Sequence, residues 1–331
     1  MDSSNASGGL IMKVDDIRKI LVVGTGTMGQ KIALQCARFG YEVVAYDAFS
    51  KSLENAQVKI PALAAGLVSQ QTMTPEDAEA SLSRIRYTSS PEDGADADLL
   101  SESVLEDPDL KAKVFAQFHQ ICQPKTIFTT NTSTLVPSMW AEATGRPAQF
   151  AALHFLDPFY ANLVDVMPHP GTSPEIVELL AAFAKRIKQV PLVFKKEYPG
   201  YVSNAVFGAM NDVALKLVFT DKVVSVEDLD RAVMIHLSMP MGIFGILDYV
   251  GLDTVWHIMQ KDAKMSGDPG QQQSADEFKR EYIDKGRLGV KSGRGFYTYP
   301  DAAYLRPEFL GAEELDEARA KTAALIKAQA H

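Results

Sequence analysis

The run Gly24-Thr25-Gly26-Thr27-Met28-Gly29 constrains this chain more than any other feature. It follows a short apolar stretch at residues 20–23 and opens a helical pattern over residues 26–39 that stops at Gly40. Residues 42–46, rich in branched and aromatic side chains, come next and end at Asp47. Strand, helix and strand in so short a span predict a βαβ unit with glycines in its first turn. Gly24 permits the tight turn, Gly26 lets the backbone approach a pyrophosphate, and Gly29 lets the helix pack close to the strand. Thr27 and Met28 then open a helix N-terminus, where amides and dipole both favour phosphate. An acid at the end of the second strand accepts hydrogen bonds from the ribose hydroxyls of a dinucleotide and repels a 2′-phosphate. Asp47 therefore predicts NAD rather than NADP as the cofactor.

With 331 residues, 46% of them apolar, the chain is long enough for two domains. A formal charge of -9 with mixed signs argues against nucleic acid, which needs a positive face. The two cysteines, Cys36 and Cys122, fall inside expected helices without ligand spacing, and read as buried thiols. The six histidines do not cluster, so no metal is expected. Residues 1–9 read as a disordered leader. The apolar segment 239–252 is interrupted by Gly242, Gly245, Asp248 and Gly251, so no membrane span is expected there and the cytoplasm is the expected compartment.

The pattern predicts an α/β architecture: a doubly wound Rossmann-type domain followed by an all-α domain. Strands are expected at residues 84–88, 97–101, 126–130, 150–155, 163–167 and 190–194. Helices are expected at residues 50–68, from residue 74, at 108–122 and at 174–189. Beyond Lys195 only helical stretches follow, at residues 201–220, 226–237, 244–260, 276–285 and 312–329. The glutamine-containing stretch 261–274 reads as a mobile polar linker. The domains are accordingly placed at 13–196, with a helical insertion, and 197–331.

Two further segments end strands. Asn131-Thr132-Ser133 follows one, and His154 closes another within His154-Phe155-Leu156-Asp157-Pro158. Taken singly, the first is turn composition and the second a core histidine. In an open α/β sheet, however, ligands bind beyond the carboxyl ends of the strands. Both segments end there, which places an amide, a hydroxyl and an imidazole on one crevice.

The ordered set GTGTMG, ESVLED followed by Lys111, NTS, HFLDP, LVDV, PGYVSN, PMGIFGILDYVGLD and LGVKSGRGFYTY resembles the L-3-hydroxyacyl-CoA dehydrogenases over about residues 20–299. The resemblance implies NAD-dependent oxidation or reduction of a 3-hydroxyacyl thioester carried on CoA or an acyl carrier protein. It implies His154 as general base, Asp165 as the acid orienting it, and Ser133 and Asn204 as substrate contacts. Glu106 and Lys111 match residues near the nicotinamide end, and Asn131 lies in the same cofactor and substrate crevice. The second domain is implied to form a homodimer and complete the cleft. Residues 51–82 match a helical pair that embraces a CoA arm, with Lys51 and Lys59 available for phosphates.

Three departures bear on substrate. The family pattern carries Asn at Asp157 and Glu at Asp165, and residues 159–164 are one residue fewer. Asp157 is expected to add negative charge beside the substrate, which tells against the usual fatty-acyl substrate. A free 3-hydroxy acid, gulonate- or carnitine-like, is an alternative substrate class, although an acidic Asp157 offers an anionic acid nothing. A non-enzymatic structural relative is a third reading, against which the joint presence of Ser133, His154 and Asn204 counts.

Overall fold

The structure, a computed structural model, describes residues 12–159 and 161–311. The expected leader and the expected helix at 312–329 lie outside the described residues. Two compact units divide the chain, Met1–Asn204 and Ala205–His331. The first therefore runs past Lys196, because Gly200 N donates to Thr134 O at 3.1 Å and Asn204 Nδ2 to Ser133 O at 3.0 Å.

The first unit interleaves strands β1 (Lys19–Val23), β2 (Glu42–Tyr46), β3 (Ile85–Thr88), β4 (Leu99–Glu102), β5 (Ile127–Thr130), β6 (Phe150–Phe155), β7 (Leu163–Pro168) and β8 (Val190–Val193) with five helices. These are α1 (Thr27–Arg38), α2 (Ser50–Ser69), α3 (Pro75–Ser83), α4 (Pro108–Ile121) and α5 (Pro174–Arg186). The strands form one sheet in the order β3-β2-β1-β4-β5-β6-β7-β8. Every pair is parallel except β6 and β7, which run antiparallel.

Alternation along β1 explains why helices cover both faces. Ile20 and Val22 join one buried cluster with Ile32 and Leu34 of α1, whereas Leu21 and Val23 join another with Phe115 and Phe118 of α4. A sheet buried on both sides needs such continuous apolar strands, and the short runs in the sequence are of that kind. Strand order reverses between β1 and β4, which opens a crevice at the carboxyl ends. Cys36 and Cys122 are both buried free thiols. Burial pushes them up to about 12 and about 11, so neither supplies a thiolate near neutral pH.

The second unit is helical: α6 (Val202–Leu215, beginning in the first unit), α7 (Val226–Leu237), α8 (Ile243–Val250), α9 (Leu252–Ser266) and α10 (Pro269–Phe278). Its core gathers Leu229, Met234, Phe244, Leu247 and Tyr282, among others. Two expectations fail here. Residues 244–260 are not one helix, because Gly251 at φ +101° separates α8 from α9. Residues 261–274 are not a linker either: α9 runs to Ser266, Gly267 turns left-handed, and Asp268 caps α10 by accepting from Gly270 N. Asp268-Pro269 is a helix start, and the glutamines then stabilise α10 through Gln272–Asp276 and Gln273–Glu277 bonds one turn apart. Residues 202–220 have the length and apolarity of a membrane-crossing helix. Asp212 and Lys216 lie inside that stretch, where hydrocarbon would penalise each.

Candidate active site

The turn between β1 and α1 sits at the point where strand order reverses. Gly24 has φ +96°, and a Cβ there would lie 2.7 Å from Ser103 O. A Cβ on Gly29 would meet Gly24 O at 1.9 Å. Both positions therefore require glycine. At Gly26 nothing lies within 4 Å of the Cβ position, and no side chain caps α1. The first amides of α1, from Thr27 and Met28 onward, thus face open space beside a cavity of about 780 Å³ that includes Thr25, Gly26, Thr27, Lys31, Lys51 and Lys59 in its lining. These observations fit a dinucleotide pyrophosphate at the N-terminus of α1.

Asp47 lies just past β2, with Oδ2 accepting from Thr25 N at 2.8 Å and from Thr25 Oγ1 at 3.0 Å. Its Oδ1 accepts from Phe49 N at 3.0 Å. The carboxylate is thereby fixed against Thr25 and Phe49, both of which line the cavity. Asp47→Ala is expected to weaken NAD binding about ten- to a hundredfold, the loss of one or two bonds to a charged group, and to narrow the gap to NADP. Calorimetric titration with both dinucleotides checks this, and a native preference for NADP would contradict it.

The β6–β7 hairpin builds the second part of the site. Its register sets His154 directly opposite Asp165, so their side chains share one face of the sheet. His154 Nδ1 lies 2.8 Å from Asp165 Oδ2. An ionised carboxylate only accepts, so Nδ1 carries the proton and Nε2 is left with a free lone pair. Asp165 is fully buried and His154 is 7% exposed. The tight connection makes this register possible: Ala161 N and Asn162 N both donate to Asp157 O, and Asn162 turns at φ +49°. A shortened loop and a shortened acid thus coexist with a well-formed pair.

The loop after β5 lies alongside. Asn131 Oδ1 accepts from Phe155 N at 2.9 Å, bracing that loop against the end of β6. Ser133 is half-buried, and its carbonyl accepts from the exposed Asn204. Thr132 donates to Glu106 Oε1, as does Thr134 at 3.2 Å.

Lys111 departs from expectation. At zero exposure its ammonium reaches both oxygens of Glu102, at 2.8 and 2.9 Å, and Glu106 Oε2 at 3.3 Å. It is buried inside the protein and holds Glu106 in place. Glu102, which the sequence reading missed, also accepts from Thr130 Oγ1 at 2.6 Å and Val104 N at 2.7 Å. Burial pushes its carboxyl up, and Lys111 with these two donors opposes that shift.

Asp157 is the second correction. Its Oδ2 lies 2.5 Å from Lys31 Nζ on α1, so the expected unbalanced negative charge is neutralised by a partner 126 residues away.

The comparisons with known proteins agree with this geometry. Residues 19–198 match the family described as 3-hydroxyacyl-CoA dehydrogenase, NAD binding domain. Residues 200–299 match 3-hydroxyacyl-CoA dehydrogenase, C-terminal domain. The chain is 33% identical over 282 residues to a probable 3-hydroxybutyryl-CoA dehydrogenase of Deinococcus radiodurans, covering 85% of this chain and all of that one. Among solved structures it is similar to a diketoreductase acting on dicarbonyl compounds, with 36% identity and a TM-score of 0.79, covering 86% of this chain and 99% of that one. It is also similar to the (S)-3-hydroxybutyryl-CoA dehydrogenase of Ralstonia eutropha, with 29% identity and a TM-score of 0.73, covering 86% of this chain and all of that one. With its Rossmann sheet, open helix N-terminus and buried His–Asp pair, the chain belongs to the 3-hydroxyacyl-CoA dehydrogenase family and is an NAD-dependent oxidoreductase of that kind.

Proposed function

We propose that this chain interconverts a 3-hydroxyacyl thioester and its 3-keto form, with His154 as the general base. The observation that carries the reading is the His154 Nδ1–Asp165 Oδ2 contact of 2.8 Å at the carboxyl end of β6, beside the Asn131–Ser133 segment. Asp165 holds the imidazole in the tautomer whose Nε2 accepts a proton from a hydroxyl. Ser133 binds that hydroxyl, and Asn204 is the second substrate contact. Asp157 lies at the edge of the same site, its charge balanced by Lys31. NAD, when bound, supplies the hydride acceptor, with Gly24, Gly26, Thr27, Met28, Gly29 and Asp47 as the residues that hold it. Glu106 lies at the nicotinamide end, set there by Lys111.

The thioester reading draws on the cavity beside α1, where Lys51 and Lys59 offer positive charge to a phosphate-bearing carrier. The similarity to a diketoreductase favours a second reading, in which the substrate is free of any carrier. NADH formation against a panel of 3-hydroxyacyl-CoA, acyl-carrier-protein thioesters and free 3-hydroxy acids separates the two. The expected result is a kcat/KM for the CoA or carrier thioester well above that for the free acid, and the reverse order would establish the second reading.

The proposal extends to a homodimer in the cytoplasm, with the first unit binding the cofactor and the second supplying the dimer surface. Val206 and Val213 on α6 are both exposed, which gives that helix an apolar face available to a second copy. Sedimentation tests the assembly.

A further inference from the structure

Tyr201 is fully buried against the His154 ring, and it has no part in the reading above. The chain reaches it through two successive left-handed residues, Gly200 at φ +79° and Tyr201 itself at φ +56°. A bulky side chain in that region is strained and persists only where its surroundings hold it. Those surroundings are the face of the sheet that carries the base. On β6 the face shows Ala152 and His154, and on β7 it shows Asp165 and Met167 opposite them. Leu192 of β8 pairs with Asp165, and Phe194 follows on the same side. Tyr201 packs with Ala152, Met167 and Phe194 at zero exposure. Its ring stands edge-on to the imidazole, with centroids 4.8 Å apart at 60°, and 5.7 Å from Phe194.

Two polar atoms on this face have no hydrogen-bond partner among the described residues: Tyr201 Oη and Asp165 Oδ1. One is a donor and the other an acceptor, both buried, and both belong to residues that already hold the same imidazole. Leaving either unsatisfied is costly, and one water between them would satisfy both. Four acids act on Tyr201: Asp165 from β7, Glu106 and Glu102 from the β4–α4 side, where Lys111 pairs with both, and Glu197 from the segment after β8. Burial first, and these carboxylates after it, push the phenol up, so the hydroxyl stays protonated and able to donate.

We infer that Tyr201 is a positioning residue for the base: its ring fixes the plane of His154, and its hydroxyl donates, through one water, to the second oxygen of Asp165. The same residue lies in the segment bonded to the Ser133 loop through Gly200 and Asn204. It therefore sets the base relative to the groups that hold the substrate hydroxyl. This inference rests on His154 being the base, and its test separates the two.

Tyr201→Leu removes ring and hydroxyl, and is expected to lower kcat about tenfold or more with the KM for NAD unchanged. Tyr201→Phe keeps the ring, and is expected to restore most of kcat. It removes a donor from the Asp165 side, which strengthens the carboxylate as an acceptor for the imidazolium. The acidic limb of its kcat/KM profile should therefore move to higher pH. His154→Gln is measured alongside, against the same substrate. If His154→Gln is inactive while Tyr201→Leu keeps native kcat, or if Tyr201→Phe leaves the limb in place, the positioning role is overturned and the base stands. If His154→Gln and Tyr201→Leu are both as active as the native enzyme, both readings fall. Should Tyr201→Leu not fold, the position of the Tyr201→Phe limb decides alone.

Discussion

Replacing His154 with glutamine is expected to lower turnover by roughly two to four powers of ten, the range for losing a general acid–base group. The ring lies at the carboxyl end of β6, whereas the dinucleotide turn belongs to β1 and α1. NAD affinity should accordingly stay within about twofold of native, because no bond to the cofactor is removed. Glutamine keeps a polar group near Asp165 but offers no acceptor that can take up a proton near neutral pH. Steady-state kinetics with calorimetric NAD titration on the same preparation checks both halves. Near-normal turnover would return His154 to the role of a buried core histidine.

The second large effect concerns the acid behind that base. Asp165→Asn leaves a neutral amide opposite the imidazole and admits the wrong tautomer, so the rate should fall on the order of a hundredfold or more. The pH profile should move too. A carboxylate partner favours the imidazolium, and an imidazole that loses it gives up its proton at lower pH. The acidic limb of kcat/KM, where protonation removes the base, therefore shifts to lower pH in this variant. Asp157→Asn is the control: it breaks the pair with Lys31 rather than the pair with His154. It should alter substrate preference and leave the limb where it is. If the Asp157 variant moves the limb and the Asp165 variant does not, the orienting acid has been misassigned.

Local order made much of this legible in advance. The βαβ unit and its glycines are contiguous, and Asp47 follows at a set distance, so the dinucleotide turn could be read from spacing. His154 is legible as the end of an apolar run, whereas Asp165 is marked as its partner only by the family resemblance, and the β6–β7 register sets the two opposite each other. Long-range partners were not legible. Lys31 and Asp157 meet across the fold, and nothing in either neighbourhood marks the other. Glu102 lies one residue past the expected strand 97–101, and its role depends on Lys111 turning inward from α4. Tyr201 is hidden for a different reason: its significance lies in a backbone angle and in the face it covers.

In the helical half, the misreadings have local causes. The glutamine run was weighed by polarity rather than by its Asp268-Pro269 start. The apolar pattern runs through Gly251 and predicts one helix over 244–260, although the φ of +101° at that glycine lies outside the helical region.

The central claim is that this chain moves hydrogen from the hydroxyl-bearing carbon of a 3-hydroxyacyl substrate to NAD while His154 takes the hydroxyl proton. The most direct measurement uses 3-hydroxybutyryl-CoA carrying deuterium on that carbon, with unlabelled NAD and the native enzyme, followed by mass analysis of the NADH formed. The account predicts one deuterium in each NADH, in step with 3-ketobutyryl-CoA, and no NADH from His154→Gln on the same timescale. NADH without the label, or labelled NADH formed equally fast by the His154 variant, would contradict it.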